Sequence, residues 1–319
     1  MKFIVVGTIE ITKECARALL ESDVTLCALI TLKKDLLPNN SVDIVAFGKN
    51  INIPVHTVTD INGAESISII KKYNPDYIIG SWPRLFKEEL IGLPKFECIG
   101  MHCTDLPYNR GRHALHWLIS LGIAETALSF FNIDKDVDTG NILHKEFIPI
   151  EADENVLALM AKVDKAGYDG TKALTQKLVE RSGYQGEIQD HSKANYWRKR
   201  SMHDVIIDLR MSANMIMRTI QSFVPPYPGS KLIFKDYVIT IVNVSIPDTG
   251  LTRTEVSRVE HGKILRVNRH SIQVKAGDYI IELESLEDVS RMFKAGKYIH
   301  PPSRYMMEHS ETLRHKLSL

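Results

Sequence analysis

His102 follows the apolar run Phe96 to Met101 and precedes Cys103-Thr104-Asp105-Leu106-Pro107. Asp138 comes 36 residues later, in the glycine turn Asp136-Val137-Asp138-Thr139-Gly140. A histidine at the end of a buried strand and an acid in a tight turn are the parts of an acid–base couple. The carboxylate would fix the imidazole and support its charged form, which suits proton transfer or stabilisation of developing negative charge. A second reading stays open from these residues alone: a structural histidine, and an aspartate that forms the turn. Arg110-Gly111-Arg112 adds a basic corner beside the histidine, of the kind that binds phosphate bidentately. Cys98, His102, Cys103, His113 and His116 are close in sequence, but their intervals match no zinc pattern, so no metal is expected.

The elements that must position these residues follow from periodicity. Phe3 to Val6, Val24 to Thr31, Asp76 to Ile79 and Phe96 to Met101 are short apolar runs bounded by Gly, Pro and Asn, the pattern of buried strands. Helical patterns fit between them at Lys13 to Leu20, Ala64 to Tyr73 and Leu85 to Ile91. This alternation predicts an α/β fold, a Rossmann-like and mostly parallel sheet covered on both faces. Two adjacent strands, Ala127 to Ile133 and Ile142 to Ile150, flank the turn that carries Asp138. Asp153 is placed to cap a long helix with Val156, Leu159, Met160 and Val163 on one face. In an open parallel sheet, ligands bind beyond the carboxyl ends of the strands, and His102 lies at such an end.

After residue 185 the chain turns polar and charged. A second helical pattern, Val205 to Phe223, stops at Pro225-Pro226-Tyr227-Pro228-Gly229. Then the period becomes two, at Tyr237 to Val244, Lys263 to Val267, Ser271 to Val274 and Tyr279 to Leu283, which predicts a small barrel of the oligonucleotide/oligosaccharide-binding (OB) kind. The expected organisation is therefore a catalytic domain over 1–190, a linker and helix over 191–225, a small C-terminal β-barrel over 226–300 and a peripheral tail over 301–319.

Composition narrows the function classes. Forty Lys and Arg against 39 Asp and Glu give a net charge of +1, which argues against a polyanion as partner. No apolar run approaches the roughly 18 residues that span a bilayer, and Met1 to Gly7 is too short an apolar segment for a signal peptide. Four cysteines without a CxxC pair fit reduced thiols in a cytoplasmic protein. The first strand ends Val6-Gly7-Thr8-Ile9-Glu10 without G-x-G-x-x-G, so hydride transfer on a dinucleotide is not expected.

The motifs together also resemble a known family. Gly100 to Arg112 is similar to the Asn-x-His-x-Ser-Leu-Leu-Pro-x-x-Arg-Gly segment of the enzymes that transfer a formyl group from 10-formyltetrahydrofolate. Asp136 to Gly140 is similar to their acidic loop, at the same spacing from the histidine. Pro226-Tyr227-Pro228-Gly229 resembles the motif that opens the smaller domain of methionyl-tRNA and nucleotide-sugar formyltransferases. The resemblance covers roughly residues 1 to 300 and implies a formyl transfer from 10-formyltetrahydrofolate to an amine. It implies that His102 stabilises the tetrahedral intermediate and moves protons, and that Asp138 holds and charges the imidazole. It also implies a pterin slot between the loop Gly80-Ser81-Trp82-Pro83-Arg84-Leu85 and the loop Asp134 to Gly140. Ser81, Trp82, Pro83, Leu85, Asp134, Asp136 and Gly140 are the cofactor contacts so implied. Thr104, Arg110 and Arg112 are the implied substrate contacts, and Arg112 aligns with an arginine used in nucleotide-sugar formylation.

One departure stands out: the family's asparagine two residues before the histidine is Gly100 here. Loss of such an oxyanion donor costs about 3 kcal/mol of transition-state stabilisation. Asn132, on the strand leading to Asp138, is the first candidate substitute and Asn109 the second. Otherwise His102 acts with ordered water, or the chain is a non-catalytic folate- or nucleotide-binding homologue. From Lys231 to Leu319 there are 14 Lys and Arg against 11 Asp and Glu, a weak platform for tRNA. The expected acceptor is therefore a nucleotide-linked amino sugar destined for surface glycan. Methionyl-tRNA is the alternative, and hydrolysis of the formyl donor a further one. Exposed barrel strands commonly pair between copies, which leaves a homodimer open.

Overall fold

The computed structural model describes residues 1–317, which divide into two compact units. The first comprises 1–114, 125–149 and 160–198, and the second 115–124, 150–159 and the chain from Lys199 onward. The expected boundary at 190 therefore moves to 198, and two inner segments join the second unit.

In the first unit the chain runs β1 (Lys2–Val6), α1 (Glu10–Leu20), β2 (Thr25–Leu32), α2 (Ile44–Asn50), β3 (Val55–Val58), α3 (Ala64–Tyr73), β4 (Tyr77–Gly80), α4 (Glu88–Ile91) and β5 (Glu97–His102). It continues through β6 (Arg110–Gly111), α5 (Ala114–Leu121), β7 (Glu125–Asn132), β8 (Ile142–Pro149), α6 (Val156–Glu180) and β9 (Tyr196–Trp197). Helices α5 and α6 begin or end in the second unit. The seven-stranded sheet has the order β3-β2-β1-β4-β5-β7-β8. Its first five strands are parallel, whereas β7 and β8 are antiparallel. The Rossmann-like expectation is met, and His102 closes β5 at its carboxyl end.

One sheet face is sealed by a set of mostly branched side chains. Ile4, Val6, Ile30, Ile67, Ile70, Ile78, Leu90 and Cys98 form a single buried cluster on the face of α3 and α4. Burying each such aliphatic chain contributes about 1.5–3 kcal/mol. On the other face Thr171 of α6 donates to Cys15 Sγ at 3.2 Å, and Cys15 lies 3.6 Å from Met101 Sδ. Helix α6 starts later than expected. Its cap is Asn155, whose side chain accepts from the Leu157 and Ala158 amides, and not Asp153.

The second unit contains α7 (Ala213–Gln221), β10 (Ser230–Phe234), β11 (Tyr237–Ser245), α8 (Arg253–Ser257), β12 (Ile264–Val267), β13 (Ser271–Lys275), β14 (Ile280–Ser285), α9 (Pro302–Glu308) and α10 (Ser310–Leu317). Its five strands form an antiparallel sheet in the order β10-β11-β14-β13-β12. Two expectations are corrected here. Residues from 206 on are not a linker, because Ile207 and Leu209 join Ile216, Leu232 and Ile239 in the core. Residues 302–317 are not a peripheral tail: Tyr305, Leu313 and Leu317 of α9 and α10 are buried in that same core, and the last two residues of the expected tail lie outside the described residues. No helix among the described residues is long and apolar enough to cross a membrane.

Candidate active site

His102 is 9% exposed and its two ring nitrogens face two acceptors. Nε2 lies 2.9 Å from the Asn109 carbonyl, and Nδ1 lies 3.6 Å from Asp138 Oδ2. The first is a hydrogen bond; the second is an ion-pair separation, longer than a hydrogen bond. The Gly111 amide donates to the same Asp138 oxygen at 2.9 Å. Asp138 itself sits at φ 56°, the left-handed region that a side chain disfavours. The predicted couple is thus assembled, with its acid held from β6.

The acidic turn is placed by close backbone approach. A Cβ on Gly140 would lie 1.7 Å from the Asn132 carbonyl oxygen, so only glycine lets the chain fold back against β7. Asp134 Oδ1 accepts from the Thr139 hydroxyl at 2.6 Å and from the Asp136 amide at 3.1 Å, closing the loop. Across from it, Ser81, Trp82, Leu85 and Phe86 line a slot of about 120 Å³ together with Gly100, Phe131, Ile133, Asp134, Asp136 and Asp138. Pro83 and Gly140 do not line it. A space this size admits a flat ring system rather than a whole cofactor. Leu85 is 64% exposed at its mouth, an apolar side chain with no cover of its own.

A side chain at position 100 would be crowded by its neighbours. A Cβ there would fall 2.9 Å from Phe131 Cζ and 3.0 Å from Ile133 Cγ1. The register pairs Gly100 with Phe131, and His102 with Ser129, so these four positions share one sheet face. The Phe131 ring therefore fills the space into which a side chain at position 100 would grow.

Four of the expected site residues are engaged elsewhere in the structure: Asn132 and Asn109 among the donors, Thr104 and Arg110 among the substrate contacts. Asn132 pairs with Ile99, which puts it on the opposite face from Gly100 and His102. Its Nδ2 donates to the Gln185 carbonyl at 3.4 Å, so it cannot replace an amide at position 100. Asn109 does approach His102, but through its carbonyl; its side chain is paired with Asn195 at 2.9 Å. Thr104 is fully buried and donates to the Tyr108 carbonyl at 2.8 Å, tying the loop rather than facing a ligand. Arg110 is only 2% exposed. It donates to Gln189 Oε1 at 2.6 Å and the Tyr196 hydroxyl at 3.0 Å, so it does not reach out to a phosphate. Arg112, by contrast, is exposed.

Cys103 adjoins the histidine without being a nucleophile: burial, with the Asp164 and Asp138 charges, pushes its thiol up to about 12. Cys15 and Cys98 are likewise pushed up by burial. Among the described residues no three His, Cys, Asp or Glu side chains gather to hold a metal ion. Sequence reasoning missed Phe131, Gln189 and Tyr196, whose roles depend on pairing across long stretches of chain.

Known proteins resemble this chain along nearly its whole length. Residues 3–175 match the Formyl transferase family and residues 200–299 the Formyl transferase C-terminal domain. The methionyl-tRNA formyltransferase of Clostridioides difficile is 26% identical over 94% of this chain and 96% of its own length. That of Geobacter sulfurreducens is also 26% identical, over 95% and 96%. Among solved structures, an N-formyltransferase from Helicobacter canadensis, in complex with folinic acid and dTDP-3-aminofucose, superposes with a TM-score of 0.65 at 17% identity, covering 89% of this chain and 99% of that one. WlaRD, a sugar 3N-formyl transferase with dTDP and 5-N-formyl-THF, gives 0.64 at 14% identity, covering 90% and 98%. Matched at both domains and carrying the histidine, acid and slot in one unit, this chain belongs to the formyl transferase family and is an enzyme of formyl transfer.

Proposed function

We propose that the protein transfers the formyl group of 10-formyltetrahydrofolate to the amine of a nucleotide-linked amino sugar, for surface glycan synthesis. The slot between Trp82, Leu85, Phe131 and Ile133 takes the flat pterin, with the Asp134 and Asp136 loop supplying polar partners at its edge. The amine attacks the formyl carbon and loses a proton while the carbonyl oxygen gains charge; collapse of the tetrahedral intermediate breaks the bond from the formyl carbon to N10, and the proton passes to N10 as tetrahydrofolate leaves. His102, paired with Asp138, is the group available for both tasks. With Gly100 in place of an amide and Asn132 on the far face, the developing oxyanion depends on His102.

The observation that carries the choice of acceptor is the charge distribution. The chain is balanced at +1, and the segment beyond Lys231 has an excess of only three basic residues. That suits a substrate with two phosphates, met by the exposed Arg112, better than a polyanion. The likeness to structures bound to dTDP and to an amino sugar nucleotide supports this reading. The identity to methionyl-tRNA formyltransferases along nearly the whole chain favours a second one, with tRNA as the partner. Incubation with 10-formyltetrahydrofolate and a panel of amino-sugar nucleotides should give a product heavier by one formyl group. Formylation of methionyl-tRNA and of none of the sugars would defeat the proposal.

A further inference from the structure

Asp138 adopts a left-handed conformation, open to aspartate but uncommon for residues other than glycine, and neighbouring groups fix it there. The Gly111 amide holds its carboxylate. A second hold acts on the backbone either side of the turn. Gln189 Nε2 donates to the Asp138 carbonyl at 3.0 Å and to the Gly140 carbonyl at 2.7 Å. Gln189 is 3% exposed, and its Oε1 is fixed from behind by Arg110 at 2.6 Å. Arg110 is in turn fixed by the Tyr196 hydroxyl, by His191 Nδ1 at 3.1 Å and by stacking of its guanidinium 5.6 Å from the Tyr196 ring centre. Strands β6 and β9 pair Arg110 with Tyr196 and Gly111 with Trp197, so the group that fixes Gln189 and the amide that grips Asp138 are consecutive in one ladder.

We infer that Gln189, oriented by Arg110, is a positioning residue for formyl transfer: it sets the backbone of the Asp138 turn and through it the carboxylate that faces His102. Gln189 does not line the slot. Both amide functions are used, the oxygen to accept from Arg110 and the nitrogen to donate to two carbonyls, so the residue requirement is specific. An ionised glutamate would keep the Arg110 contact and lose both donations, placing its second oxygen against two carbonyl oxygens. The Asp138 carboxylate, Arg110, His191 and Tyr196 are the charged or titratable groups around it. The inference rests on the assignment of His102 and Asp138 as the working pair.

The test is Gln189→Glu beside Gln189→Met, with His102→Asn as the control for the pair itself. Gln189→Glu should fold and bind folate with little change in KM, while kcat falls about 10- to 100-fold, part of the ~10²–10⁴ that a positioned acid–base group supplies. Its deficit should shrink as pH is lowered towards protonation of the new carboxyl, which then donates again. Gln189→Met, which never donates, should show a deficit of similar size that does not shrink. Wild-type kcat and pH profile in a folded Gln189→Glu enzyme would overturn the inference. Loss of fold in both variants would assign Gln189 to the stability of the unit rather than to Asp138, and would overturn it equally. If His102→Asn retains full turnover, the underlying pair is at fault and not the positioning residue.

Discussion

A neutral imidazole can donate only once, yet His102 faces two acceptors, the Asn109 carbonyl and the Asp138 carboxylate. One ring nitrogen donates to an acceptor and the other can take the proton that the amine loses, so charge gathers on the ring beside Asp138 as the oxyanion forms. His102→Asn should therefore lower kcat by ~10³ or more, and Asp138→Asn, which keeps an acceptor for the Gly111 amide, by ~10², both with KM for folate within a few-fold. Single-turnover formyl transfer measures both, and an undiminished rate in His102→Asn would remove the histidine from the chemistry. Gly100 yields a coupled prediction. Gly100→Asn alone drives its Cβ against Phe131 and Ile133, overpacking that should destabilise by about 1–3 kcal/mol. Gly100→Asn with Phe131→Leu should recover most of that loss in thermal melts, because the obstruction is the far end of one ring. If the double variant melts no higher than the single, Phe131 is not what excludes a side chain at position 100.

At the scale of elements, the positions that sequence reasoning read well are those governed by local pattern. The apolar runs gave β1, β2, β4, β5, β7 and β8 to within a residue or two, and the glycine turn with Asp138 came with them. What escaped was parity and burial. Asn132 looks like a substitute donor until β7 is registered against β5, when a one-residue difference sends it to the opposite face. Arg110 reads as a phosphate ligand until β9, over 80 residues away, pairs with β6 and covers it. Neither pairing leaves a local signal. The start of α1 carries a stability prediction of its own. Burial, with Glu10 and Glu14 nearby, raises the Asp164 carboxyl from 3.8 to about 6. The folded state then holds a proton that the unfolded chain releases, so ionisation of Asp164 opposes folding progressively between about pH 4 and 6 and fully above that range. Asp164→Asn, which can still accept from the Ile11 amide, should stabilise by about 1 kcal/mol at pH 8, a figure already discounted for partial exposure. That corresponds to about 2–4 °C in melting temperature for a unit of this size. Melts at pH 8 and pH 4 check the sign: the gain should vanish at the lower pH, and an equal gain at both would mean that charge is not its source.

For the molecule as a whole, the acceptor proposed above and its alternative are both anionic, while the chain is nearly neutral. Relatives by sequence are named for methionyl-tRNA, whereas two structures of like fold hold a nucleotide-linked sugar or a nucleotide. Salt separates the two physically. A protein contacting six to ten phosphates loses about 10³- to 10⁵-fold in affinity between 50 and 200 mM salt, because each contact releases a counterion. A diphosphate met by one arginine has at most two charges to screen, so its KM should rise less than about 10-fold over the same range. Arg112→Ala should then raise KM for the sugar nucleotide by about 10-fold, near the ~1.4 kcal/mol of one charge-assisted contact, and leave kcat almost unchanged. It should leave the KM for folate unchanged too, since Arg112 does not line the slot. A steep salt dependence with methionyl-tRNA, and no effect of Arg112→Ala on any sugar nucleotide, would place the acceptor among nucleic acids instead.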